Sequence, residues 1–157
     1  MTYRMLCEDS ARFRAAAVVM GAQMVEQFTD CPGAAPVPLL MIQGTRDRIL
    51  PWKGRRWPRN QALLSMEQSV EIWRARNGCG RNADETTLDG TAQDNGTRVI
   101  CTRYACDVPL VVYRVEGGGH TWPGGVDNFP AWVVGKTCHS FNASRQIWQF
   151  FEQVAGE

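Results

Sequence analysis

Four features that would narrow the function quickly are scarce or missing in this 157-residue chain. Long apolar runs are missing: the longest, Ala15 to Met20 with its flanks, is strand-sized, far short of the roughly 20 residues that span a bilayer as a helix. An excess of one charge is missing too. The 17 basic and 16 acidic residues leave a net charge of +1, which argues against nucleic acid or an anionic membrane as the main partner. Arg55, Arg56 and Arg59 read as a solvated loop. Histidine is scarce, with His120 and His139 alone, and no two cysteines stand as Cys-x-x-Cys. A zinc or redox centre therefore lacks its usual ligands, and no metal or cofactor is expected. A metal hydrolase built on His120, His139 and carboxylates is the weakest reading. Lastly, the five serines (Ser10, Ser65, Ser69, Ser140 and Ser144) include none in Gly-x-Ser-x-Gly, so the strand–turn–helix elbow of a serine hydrolase is absent. The segment from Met1 carries Glu8 and Asp9 without a cleavage-type pattern and does not read as a secretory leader.

What is present suits one globular domain over residues 1–157: 44% hydrophobic and 21% charged residues, enough for a sizeable core. Six cysteines are many for a cytosolic enzyme and point to disulfides in an oxidising compartment. Cys79 and Cys106 flank a polar excursion and look like a staple across it, and Cys7 with Cys31 is a second possible pair. Nothing in the sequence pairs Cys101 with Cys138.

The periodicity predicts a helix over 2–14, with Tyr3, Leu6, Cys7 and Phe13 near one face and no capping signal at its start. Continuous apolar runs at 15–20, 38–43 and 110–115 predict strands buried on both faces of a sheet. Between the second and third lies a surface segment with Pro51, Trp52, Trp57 and Pro58. An amphipathic helix over 65–77 follows, with Ser65 as N-cap, Met66, Val70 and Trp73 in register, and Asn77-Gly78 as its stop. Residues 80–97 are polar and turn-rich, and 99–104 alternates like an edge or hairpin strand. Asn142-Ala143-Ser144 opens a final helix, with Ile147, Trp148 and Phe151 expected to face the core and Phe150 beside them. The pattern is α/β, with a mostly parallel sheet and flanking helices. An unpaired strand at 15–20 would leave a sheet edge open to self-association.

In parallel sheets chemistry gathers at the carboxyl ends of strands. Asp47 follows the second strand in Gly44-Thr45-Arg46-Asp47, and His120 follows the third in Gly117-Gly118-Gly119-His120-Thr121-Trp122-Pro123-Gly124-Gly125. The three glycines suggest a bare, mobile loop that lets another segment or a ligand come close. A carboxylate that orients an imidazole, and an imidazole that takes a proton from a hydroxyl, are two thirds of a nucleophilic triad. Acid before histidine is also the α/β-hydrolase order. An aspartate in such a turn is more often a turn-former, so it is the pair that carries weight. His139 reads as a surface residue.

These segments, together with Pro51-Trp52, Asn77-Gly78-Cys79 and the stretch Asn142 to Phe151, resemble the secreted polyhydroxybutyrate depolymerase and feruloyl (acetylxylan) esterase family of α/β-hydrolases. The resemblance covers essentially the whole chain but only the C-terminal half of such an enzyme. It implies a partial α/β-hydrolase fold, with the N-terminal half and the nucleophile elbow missing. It implies Asp47 as triad acid, His120 as general base and a nucleophilic serine upstream of Met1. Trp122 and Trp52 would line the substrate mouth, and Cys79–Cys106 would be bridged; Cys101 and Cys138 depart from the pattern. The implied protein is secreted and acts on a small-molecule or polymeric ester. The alternative is a catalytically inactive fragment or interaction module that keeps the fold.

Overall fold

A computed structural model describes residues 1–25, 31, 33–56, 58, 62–88 and 95–156. Trp57 and Arg59 of the surface segment, and Asp89, Gly90 and Asp94 of the polar excursion, lie outside the described residues.

Helix α1 (Thr2–Asp9) buries Tyr3 and Leu6 and has no side-chain cap. It is shorter than its periodicity predicts. The chain leaves the α-helix at Asp9, makes a 3₁₀ turn over Ser10–Arg12 and is already extended at Phe13, where φ is −112°. Strand β1 (Ala16–Val19) follows, then β2 (Leu39–Gly44), buried at every position. A two-residue ladder, β3 (Arg55–Arg56) with β4 (Ala62–Leu63), precedes helix α2 (Met66–Arg76). Helix α2 starts as expected: the Ser65 hydroxyl accepts from the Gln68 backbone N–H while the Gln68 side chain accepts from the Ser65 N–H, a reciprocal capping box. It stops at Asn77, with Gly78 at φ +67°. Strands β5 (Ala83–Thr87), β6 (Arg98–Tyr104) and β7 (Leu110–Glu116), the short helix α3 (Ala131–Val134) and helix α4 (Ala143–Gly156) complete the chain.

The five-stranded sheet has the order β1-β2-β7-β6-β5. Only β1–β2 and β2–β7 are parallel; β6–β7 and β5–β6 are antiparallel. The expected mostly parallel sheet is therefore a mixed one with flanking helices, still α/β. The reason is connection length. The 105–109 link between β6 and β7 is too short for a crossover and can only close a hairpin, whereas β2 reaches β7 through α2 and the hairpin strands. Strand 98–104 is consequently internal, not an edge. The polar residues Ala83-Asp84-Glu85-Thr86-Thr87 predict turns, yet they form strand β5, exposed throughout. Its ladder to β6, from Ala83↔Tyr104 to Thr87↔Ile100, supplies what its side chains do not.

Side-chain alternation in β2 divides the core. Leu39 and Met41 join Tyr3, Leu6, Val70 and Trp73 beneath α1 and α2. Leu40 and Ile42 join Val99, Val115, Phe141 and Phe150 beneath α4. In α4 Ile147 and Phe151 pack partly against the core as expected, with Val154, but Phe150 is the large side chain that is buried, and Trp148, expected to face the core, is 64% exposed. Positions 147, 150, 151 and 154 form the helical stripe, and 148 lies off it.

Disulfides join Cys7 to Cys31 and Cys79 to Cys106, the latter tying the end of α2 to the β6–β7 link. Cys101 and Cys138 are buried free thiols; burial is the main cause that pushes the Cys101 thiol upward, so it stays protonated. Two disulfides are consistent with an extracellular protein. Among the described residues no helix is long and apolar enough to cross a membrane. The outer edge of β1 takes no ladder partner among the described strands.

Candidate active site

Strands β2 and β7 run parallel in the register Leu39↔Leu110 to Gly44↔Val115, so they end at the same edge of the sheet. The turns that leave them are stitched together. Thr45 N–H donates to Val115 O (3.0 Å), Arg46 N–H to Gly118 O (2.9 Å), and Gly117 N–H to the Thr45 hydroxyl (3.0 Å). A third segment closes from the other side, with Gly119 N–H donating to Lys136 O (2.9 Å) and His120 N–H to Val134 O. The loop expected to be bare and mobile is thus locked, with Gly118 and Gly119 buried.

The glycines serve close approach of backbone to backbone. A Cβ at Gly44 would lie 2.5 Å from Gly118 O, and one at Gly119 would collide with Val134 O and the Gly135 backbone. Gly119→Ala is accordingly expected to lower the unfolding free energy by about 1–3 kcal/mol and to shift the His120 resonances. Urea denaturation and NMR check this; an unchanged midpoint would mean the loop has room.

Asp47 is buried, and all four acceptor directions of its carboxylate are used. Oδ1 accepts from Ile49 N–H (2.9 Å) and Leu50 N–H (2.8 Å). Oδ2 accepts from Gln43 Nε2 (3.1 Å) and faces His120 Nδ1 at 2.8 Å. Asp47 is therefore a turn-former as well as the imidazole's partner: one oxygen folds the turn, and the other is left for the histidine. Gln43 Nε2 also donates to Leu50 O (3.0 Å), bridging strand and turn. Sequence reasoning passed over Gln43, although a polar side chain inside a strand buried on both faces was a legible signal.

The His120 side chain is 30% exposed, and among the described residues its Nε2 carries no hydrogen bond. The ring borders a cavity of about 400 Å³ with Trp122, Val126, Phe129 and Val134 on its walls. Trp122 is 49% exposed, and its Nε1 donates to the Ser144 hydroxyl at 3.1 Å. That bond holds the indole on the wall of the cavity that His120 also lines. Trp52 is not brought to this cavity. It is half-buried against the core, donates from Nε1 to Glu67, and lines spaces beside α2. His139 faces Asp127 (3.3 Å) at the surface. Among the described residues no three histidines, cysteines or carboxylates stand where they could hold one metal ion. None of the five serines bonds His120: Ser10 accepts from Ala35 N–H, Ser65 and Ser69 belong to the start of α2, Ser144 holds Trp122, and Ser140 lies near Cys138 (3.7 Å).

The arrangement supplies an oriented imidazole. With Nδ1–H directed at a buried carboxylate, Nε2 keeps its lone pair for a proton from the cavity side. No known protein-family profile matches the chain. It is 27% identical, over 149 residues, to a protein of Nocardia uniformis subsp. tsuyamanensis named "Putative esterase NocK"; the match takes in 87% of this chain and 43% of that protein. The chain thus spans less than half the length of the curated relative it matches, and its relationship is esterase-like.

Proposed function

We propose that Asp47 and His120 are the acid and general base of a serine carboxylic-ester hydrolase of the polyhydroxybutyrate depolymerase and feruloyl esterase type. Its nucleophilic serine is carried by polypeptide outside this chain. The observation that carries the reading is the 2.8 Å contact between Asp47 Oδ2 and His120 Nδ1, made at adjacent parallel strand ends, with His120 lining a cavity. In acylation, Nε2 takes the serine proton as the hydroxyl attacks the ester carbonyl, then returns it to the departing alkoxide. Water repeats the sequence to release the acid. Asp47 stabilises the imidazolium formed at each stage. Trp122 offers a flat apolar wall to an acyl or alcohol group, and the substrate is a small-molecule or polymeric ester. The disulfides fit a secreted protein.

The second reading, a non-catalytic unit that keeps the fold, draws on the commitment of the serines to other partners. The two are separated by a fluorophosphonate label and p-nitrophenyl acetate. The isolated chain is expected to be neither labelled nor active. A chain extended by the polypeptide encoded upstream is expected to be both. Labelling of Ser10, Ser65, Ser69, Ser140 or Ser144 would overturn the placement of the nucleophile. A folded extended chain that neither labels nor hydrolyses would favour the non-catalytic unit.

A further inference from the structure

On the flank of the Asp47 turn lies a second, larger cavity of about 750 Å³, walled by Thr45, Arg46, Arg98, Glu116, Gly117 and Lys136. It shares no wall with the His120 cavity, but an intervening space touches both. A space of about 450 Å³ shares Asp127, Asn128, Phe129 and Thr137 with the His120 cavity and shares Lys136 with the larger one. The walls thus change from apolar beside the imidazole to cationic at the far end.

Among the described residues three cations meet one carboxylate there, and that carboxylate is already matched. Glu116 Oε2 lies 3.2 Å from Arg98 Nε, and its Oε1 lies 3.7 Å from Arg114 Nε. These pairs hold Arg98 at the rim. Lys136 Nζ is held by the Asn95 carbonyl at 2.6 Å, which leaves two of its three protons for a ligand. Arg46 makes no ion pair among the described residues. It projects from the Gly44–Asp47 turn, whose backbone is fixed by the stitching to Gly118 and Val115. The chain as a whole is near neutral at +1, so among the described residues this is a local excess of positive charge and no general basic surface. In a concave wall such a charge focuses its field on whatever occupies the space. A guanidinium fork beside a point-like ammonium suits a planar or tetrahedral oxyanion.

We propose that this cavity binds the carboxylate or phosphate group of a small-molecule ligand, with Arg46 and Lys136 as its direct contacts and Arg98 as a flanking charge. Separated from the imidazole's cavity by the intervening space, it would hold a charged group of a ligand at a distance from the imidazole. The anion site stands whether or not the ester-hydrolase reading does, because binding is measured without turnover.

The test titrates the folded chain with inorganic phosphate and, separately, with glutarate, reading the Gly96 and Gly117 amides and the Arg46 Nε–H by NMR. Saturable shifts with at least one anion are expected, weakening as KCl is raised. Arg46→Gln should weaken binding by about tenfold, the loss of one charge-assisted hydrogen bond, and Arg46→Lys should recover part of it. Because Arg46 is exposed, both variants should keep the wild-type amide spectrum outside the cavity. If a variant does not fold, Lys136→Gln provides the same reading. A response to phosphate alone or to glutarate alone supports the site and identifies its oxyanion. No saturable shift with either anion, or equal affinity in the folded Arg46→Gln and wild-type chains, overturns the proposal.

Discussion

On the proposed ester-hydrolase reading, His120→Ala, made in a longer polypeptide that carries this chain together with a nucleophilic serine, is expected to lower kcat for p-nitrophenyl ester hydrolysis by about 10⁴-fold, with KM little changed. Asp127 also lines the cavity, but its carboxylate is paired with His139 and, among the described residues, has no buried partner to orient it as Asp47 orients His120. The other histidine, His139, faces Asp127 at the surface, and among the described residues no second imidazole approaches Asp47. Asp47→Asn is expected to cause a loss of similar order by a different route. The amide can present its NH₂ group to Nδ1, which favours the tautomer with the proton on Nε2, where the serine proton must go. The side chain also carries the turn through Ile49 and Leu50. Near-normal circular dichroism and an unchanged melting transition must therefore accompany the kinetic loss for it to be read as chemistry. A His120→Ala variant that retains more than a tenth of wild-type kcat would remove His120 from the reaction. The same result for Asp47→Asn alone would leave the base in place and assign the aspartate to folding.

Trp73→Ala is expected to destabilise the fold by about 3–5 kcal/mol. That is a large share of the roughly 5–15 kcal/mol that holds a domain together. Trp73 has no exposed surface and joins the cluster beneath α1 and α2. Its ring stacks on Tyr3 at 6.2 Å between centroids, and the Arg76 guanidinium lies 4.9 Å over it. The indole N–H is buried without a partner among the described residues, a standing cost that truncation also removes. Trp73→Phe should therefore cost clearly less than Trp73→Ala, since it keeps most of the apolar contact and discards the unpartnered donor. Trp148 is the internal control: at 64% exposure, its replacement by alanine should change stability by no more than about 0.5 kcal/mol. Urea denaturation of the three variants ranks them. A Trp148 effect as large as that of Trp73 would mean that α4 packs in the phase first expected from its sequence.

Those two tryptophans mark the boundary between what pattern carries and what it does not. In α2, Met66, Val70 and Trp73 fall on one stripe, and the capping box at Ser65 with the glycine after Asn77 fixes where the stripe begins and ends. In α4, four large apolar residues stand within 147–151, and that crowding admits more than one phase. Only the packed cluster that includes Tyr113 and Phe141, whose rings are 4.9 Å apart, takes in Phe150 and leaves Trp148 outside. Strand β5 shows the complementary failure. Its side chains are all exposed, so no periodicity marks it, and its extended form comes from backbone bonds to β6.

By itself the sequence determined the strands β1, β2 and β7, both capped ends of α2 and the acid-before-histidine order at successive strand ends; it offered the two cysteine pairs only as possibilities, which the fold realises. Each is a local signal: a run of apolar residues, a capping residue, a glycine cluster or a spacing. Tertiary structure alone decided that half of the sheet is antiparallel and that the three glycines lock the loop instead of freeing it. It also decided that Gln43 braces Asp47, that Trp122 and not Trp52 lines the cavity that His120 also lines, and that Arg46, Arg98 and Lys136 share one cavity. The physical reason is common to all of these. Each depends on atoms from segments far apart in the chain coming within hydrogen-bonding or van der Waals range, and no pattern within one segment records which partner it will meet.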